Sequence, residues 1–117
     1  MSARLRRAAG LVAFVGLVVA WAIVLRPVAL GGQTLFLVVR GDSMLPTYQT
    51  GDLVILRSAD AYRQGEVVAY RVPAGELGAG RIVIHRIVGG DAVSGYLVKG
   101  DHNPAVDPWR PKPSDIV

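Results

Sequence analysis

With 117 residues, a net charge of +4 and no cysteine, the chain has room for one domain and cannot hold a disulfide framework, a thiol nucleophile or a cysteine-based metal site. His85 and His102 are the only histidines, so a zinc centre would need mostly carboxylate ligands, and neither metal nor cofactor is expected. The positive balance does not read as a nucleic-acid surface: Arg4, Arg6 and Arg7 cluster at the N-terminus, while the other basic residues are scattered without a stripe or interleaved aromatics.

The first element is Ala8 to Leu25, AAGLVAFVGLVVAWAIVL, an uncharged stretch of 18 residues. At the helical rise it covers most of a bilayer's hydrocarbon core, so it is read as a single transmembrane helix. Three arginines precede it and only Arg26 follows closely, which keeps the N-terminus in the cytoplasm by the positive-inside rule. The small-x-small site Ala20-Trp21-Ala22 of a cleavable leader lies inside the apolar run instead of after it, which favours an uncleaved anchor. The expected organisation is a cytoplasmic N-terminus over residues 1–7, a membrane anchor over 8–25, and an extracytoplasmic domain over 31–117.

Beyond Pro27, short β-branched runs alternate with glycine, proline and aspartate. Strands are predicted at Thr34 to Arg40, Leu53 to Arg57, Glu66 to Arg71, Arg81 to Val88 and Gly95 to Lys99, and no helix-length pattern follows the anchor. The fold class is mainly β: one transmembrane helix, then a small antiparallel sandwich or partly open barrel. The glycine-bearing loop from Pro73 to Gly80 lacks the lysine and helix of a phosphate loop. The tail around Trp109 is proline-rich, and Asp115-Ile116-Val117 reads as the start of a further strand, so the domain is expected to continue beyond it.

GDSMLPT, residues 41–47, sets a small polar turn directly after the apolar run Leu35 to Val39. Ser43 is a candidate nucleophile, and a serine hydroxyl needs a neighbouring base. His85 is a candidate for that base. It lies in Arg81-Ile82-Val83-Ile84-His85-Arg86-Ile87-Val88, where alternation puts it on the face of Val83 and Ile87, and a ring on such a face needs a polar partner. The loop from Lys99 to Asp107 carries two acids, Asp101 and Asp107, either of which could fix the imidazole tautomer. Serine, histidine and acid in three segments are individually common, so this spacing alone is not diagnostic.

The motifs together resemble signal peptidase I, the membrane-bound serine endopeptidase family that removes signal peptides from exported proteins. Ser43-Met44-Leu45-Pro46-Thr47 matches its nucleophile box, and Gly51-Asp52-Leu53-Val54 resembles the box that follows. Arg63 to Tyr70 is similar to the next family strand, Ile84 to Gly89 to the base-bearing box, and Lys99-Gly100-Asp101 with Asp107 to the last. The resemblance implies cleavage after small-x-small sites through an acyl-enzyme, with signal peptides and the lipid bilayer as partners and protein-export machinery as a further one. Histidine at position 85, where most bacterial members carry lysine, is the form of the endoplasmic-reticulum, archaeal and sporulation-type enzymes. A lysine base must be pushed well below its ordinary pKa by burial, whereas an ordinary histidine titrates near about 6.5 and chiefly needs orientation.

By offset, the resemblance assigns Asp107 as the acid of the triad and Asp101 as a supporting or alternative acid. Lys99 is an alternative base, but its place at a strand end beside glycine reads as a solvated lysine. The resemblance places Met44 beside the substrate groove, where core filling is the competing role. The Ser43 backbone N–H is the natural oxyanion donor. Gly41 stands where many relatives have a serine that supplies a second donor, and so leaves that donor unassigned. Against the enzyme stands a noncatalytic membrane-tethered β module that binds extended peptides in an export complex.

Overall fold

The Ser2 hydroxyl accepts a hydrogen bond from the Leu5 N–H, and this cap starts helix α1, Ala3–Val24, earlier than the apolar run itself begins. The computed structural model describes residues 2–27 and 30–117. At 22 residues, α1 is about 33 Å long. Its last bond runs from the Leu25 N–H to the Trp21 carbonyl, and Pro27, with no N–H of its own, ends the pattern soon after. With a mean hydropathy of 2.2 and no buried residue, α1 is long and apolar enough to cross a membrane. It belongs to a first compact unit that ends at Thr34.

The second unit, Leu35–Val117, is mainly β, as expected. Strands β1 (Thr34–Val38) and β2 (Leu53–Arg57) form one small antiparallel sheet. Strands β3 (Val67–Arg71), β4 (Ile82–Asp91) and β5 (Gly95–Lys99) form a second, with β4 central. The two sheets do not close into a barrel.

Strands β1, β3 and β4 differ in extent from the sequence reading, β3 and β4 each starting one residue later, at Val67 and Ile82. Strand β1 stops at Val38 because Val39 bonds only the loop ends, Gly51 and Asp52, before the chain turns through Gly41 at φ +82°. Strand β4 runs on to Asp91. Its glycine pair looks like a stop in sequence, yet Gly90 is where the hairpin closes: a Cβ there would lie 2.4 Å from the Gly95 carbonyl oxygen. A bulge between Ile87 and Gly89 absorbs the change of register.

Alternation along β4 organises the core. Val68 is opposite His85 and Tyr70 opposite Val83, while Ile87 is opposite Val98. Val68, Tyr70, His85, Ile87 and Val98 therefore share one face, and all are buried. Val72 and Tyr96 complete the apolar cluster, with Trp109 and Ile116 packed against it. Ile116 bridges to Tyr70, and the Val117 N–H bonds the Ala69 carbonyl. The end of the tail thus meets the β3 edge through Ile116 and Val117, whereas Asp115, read with them as a strand start, closes a 3-10 turn over Pro113–Asp115.

Ile87 is 1% exposed at the centre of this cluster. Ile87→Ala is expected to cost about 3 kcal/mol of stability from lost burial and the cavity left behind, read as a lower urea midpoint for the full chain in detergent micelles.

Candidate active site

Ser43 sits on the loop from Val39 to Asp52 between β1 and β2. The loop holds its shape with its own bonds: Leu45 N–H to the Asp42 carbonyl, Tyr48 N–H to the Met44 carbonyl, and Thr50 hydroxyl to the Gly41 carbonyl. Asp42 thus serves the turn through its backbone. The Leu45–Pro46 peptide is cis.

A second loop, following β5, docks on the first. The His102 N–H donates to the Ser43 carbonyl at 2.9 Å. Gly100 makes that approach possible, because a Cβ on it would stand 2.6 Å from the Ser43 carbonyl oxygen and 2.7 Å from the Asn103 amide nitrogen. The loop then returns to β5, where the Asp107 N–H bonds the Val98 carbonyl at 2.8 Å. Val98 lies opposite Ile87, two residues from His85, and this return brings the Asp107 carboxylate to the imidazole.

Ser43, His85 and Asp107 form one hydrogen-bonded line. His85 Nε2 lies 3.0 Å from Ser43 Oγ and His85 Nδ1 lies 2.5 Å from Asp107 Oδ2. His85 and Asp107 are buried. If Asp107 is ionised it can only accept, so Nδ1 carries the hydrogen and Nε2 is left free to accept the serine proton.

The two acids occupy different places. Asp107 is on the His85 side, whereas Arg86, one residue along β4, faces the other way and reaches Asp101. Arg86 Nε donates to Asp101 Oδ1 and Nη2 to Oδ2, both at 2.8 Å, while the Thr47 hydroxyl donates to Oδ2 at 2.6 Å. Arg86 Nη1 also donates to the Gly65 carbonyl. Asp101 therefore ties the serine loop to β4 and makes no bond to His85. The Arg86 guanidinium, with help from Thr47, holds the Asp101 carboxyl down to about 2 against the opposing effect of burial. Bonding to Asp101 in turn raises the Arg86 pKa.

The remaining expectations fall as follows. Met44 is 1% exposed and also lines the cavity beside Ser43, so it is both core filling and groove wall. Lys99 is half-buried, with its ammonium on the Gly100 carbonyl, and is not fully solvated. Trp109 donates its ring N–H to the Leu77 carbonyl and packs its ring against Tyr70. No cluster of three or more metal-ligating side chains occurs among the described residues.

A cavity of about 520 Å³ opens on the serine. Leu37 to Arg40 line one side and Arg81 to His85 another, with Asn103 and Trp109 also contributing. The sequence reading missed three contributors: the Tyr70 hydroxyl, which donates to Asp107 Oδ2 at 2.7 Å, the Arg86–Thr47 clamp, and Trp109 as cavity wall. Tyr70 was within reach of pattern alone, because a phenol on a buried strand face must find a hydrogen-bond partner.

Residues 18–115 match the peptidase S24-like family, and the chain belongs to that family. Within it the signal peptidase I type read from the motifs is borne out by similarity to catalytic subunits of signal peptidase complexes. The SEC11 subunit of Verticillium alfalfae is 40% identical over 76 residues, covering 60% of this chain and 42% of that protein. The corresponding subunit of Pyrenophora tritici-repentis is 39% identical over 71 residues, covering 60% and 41%. This chain spans about two fifths of the length of these curated relatives. No solved structure matches it.

Two predictions follow the loop geometry. The Asp101 carboxyl ordinarily titrates at 3.8 and is lowered to about 2, so its contribution to stability is complete above 3.8 and is lost as pH falls from there through about 2. Asp101→Asn should lower the neutral-pH Tm and flatten its decline across that acid window, as measured by thermal melts at stepped pH. Gly100→Ala, by pushing on the Ser43 carbonyl, should slow labelling of Ser43 by a fluorophosphonate at least about tenfold, with Ala105→Gly in the same loop as the control for loop change in general.

Proposed function

We propose that the chain is a signal peptidase I of the serine-histidine type, a membrane-bound endopeptidase that cuts signal peptides from exported preproteins. The observation that carries this reading is the Ser43–His85–Asp107 line of hydrogen bonds opening on a groove. Membership of a peptidase family and the names of the similar subunits support it.

In this mechanism an extended substrate segment lies in the groove between Leu37–Arg40 and Arg81–His85, where main-chain bonding supplies affinity. Apolar walls such as Val38, Met44 and Val83 suit small residues before the cut. His85 Nε2 takes the Ser43 proton as Oγ attacks the scissile carbonyl, and Asp107 stabilises the imidazolium that results. The Ser43 backbone N–H stabilises the oxyanion. The imidazolium then gives its proton to the leaving amine, and a water deprotonated by His85 releases the acyl group.

Helix α1 is the membrane anchor in this reading, spanning with residues 1–7 in the cytoplasm and the domain of residues 31–117 outside. The arginines at its N-terminal end support that direction. Substrate and catalytic unit would then meet at the outer membrane face, and the complexes named for the similar subunits support work alongside export machinery.

Full-length chain in liposomes should cleave a model preprotein at its small-x-small site. Ser43→Ala and His85→Ala should abolish the cut, and Asp107→Asn should reduce kcat at least about a hundredfold, followed by N-terminal sequencing of the product. A folded wild type that leaves the preprotein intact and does not react with a fluorophosphonate would make it a peptide-binding module instead.

A further inference from the structure

Tyr70 is fully buried on β3, and its ring completes the apolar cluster of the second unit. A phenylalanine would fill that space as well. The hydroxyl adds only a group that must be desolvated, and burying one without a partner is costly. Its partner is Asp107 Oδ2, at 2.7 Å. That oxygen also faces His85 Nδ1.

From this sharing, we infer that Tyr70 is a positioning residue, whose hydroxyl locks the rotation of the Asp107 carboxylate so that Oδ2 meets the imidazole. The inference rests on the serine-histidine reading of the site.

A carboxylate turns about its terminal torsion with little resistance. The Asp107 backbone is fixed by its bond to Val98, but that bond leaves the carboxylate's rotation open. The phenol approaches from β3 while the imidazole approaches from β4, and the two donors on one oxygen define its direction. Burial first, then the hydrogen bond and charge of Asp107, raise the Tyr70 pKa well above its ordinary value. The phenol therefore keeps its proton and remains a donor throughout the range in which a histidine base can act.

Tyr70 does not line the cavity, whereas Asp107, His85 and Trp109 do. It therefore acts on the reaction through Asp107 and not through substrate. The Trp109 ring, which does line the cavity, packs against Tyr70 at a centroid separation of 6.5 Å. Removing the hydroxyl should consequently change kcat and leave KM nearly unaltered.

The test compares wild type, Tyr70→Phe, and chain carrying 3-fluorotyrosine at position 70, each full length in detergent micelles, with Ser43→Ala as the reference for the catalytic reading. Tyr70→Phe is expected to lower kcat roughly tenfold with KM changed less than about twofold, as for loss of a hydrogen bond to a charged group. The His85 Nδ1–H proton resonance should move in opposite directions in the two Tyr70 proteins, because one loses the competing donor and the other strengthens it. That resonance is read without turnover. Unchanged kcat and an unmoved resonance in Tyr70→Phe would overturn the inference, as would a resonance that moves equally in both. Cleavage by Ser43→Ala at the wild-type rate would instead overturn the catalytic reading, leaving the resonance to decide the Tyr70–Asp107–His85 coupling on its own. If Tyr70→Phe does not fold, the fluorotyrosine protein supplies the decision: its resonance moves from the wild-type position, or the inference fails.

Discussion

Strand β4 carries two polar residues back to back, and the site depends on that alternation. His85 points into the core and Arg86 points away, because successive side chains of a strand leave on opposite faces. Each finds a different carboxylate from the same loop: Asp107 for His85 and Asp101 for Arg86. A slip of one residue in the β3–β4 register would exchange the faces and break both pairs, so burial of Val68, Tyr70 and Ile87 and alignment of the site are secured by the same register. The geometry of the candidate site is thus enforced by apolar packing across the sheet, beyond the strength of the polar bonds themselves.

Placing polar groups on an apolar face carries a desolvation cost, and the arrangement offsets it by connecting them. No buried side-chain nitrogen or oxygen is left unpartnered among the described residues. The imidazole, carboxylate and phenol form a connected set in which each group satisfies another. Such a set is stable only when complete. This explains how a histidine can occupy a strand interior with 7% exposure and still present one nitrogen to a serine at the cavity wall.

Much of this was legible in the residues. The β-branched runs marked all five strands, and the apolar run marked α1, because both depend on local periodicity. Ser43, His85 and Asp107 could be named together only from the ordered motifs of the resemblance, while the means of their union, a return of the Asp107 backbone to Val98, is announced by no local pattern. The extent of β4 was missed for a physical reason: Gly89 and Gly90 signal a break in sequence, while the close approach of Gly95 to Gly90 makes that glycine the residue that lets the hairpin continue. Alternation placed His85 on the apolar face correctly. The same rule applied to Arg86 would have separated the two acids, since an arginine on the opposite face can only recruit the carboxylate that lies there.

In the proposed serine-histidine reading, a histidine base makes orientation the central requirement, and the surrounding structure supplies that orientation from several directions. The serine loop is fixed against the β5 loop through Ser43 to His102 and through Thr47 to Asp101, whereas the ring is fixed through Asp107. These ties use different atoms but converge on one loop, which carries Asp101, His102 and Asp107. A lysine at position 85 would have a flexible stem and three donors, with no second ring nitrogen for Asp107 to hold. Here the buried carboxylate would pair directly with the ammonium and favour its charged form, the reverse of what a lysine base needs. The acid at position 107 and the imidazole at position 85 are therefore a matched choice: a carboxylate that orients a histidine would disable a lysine.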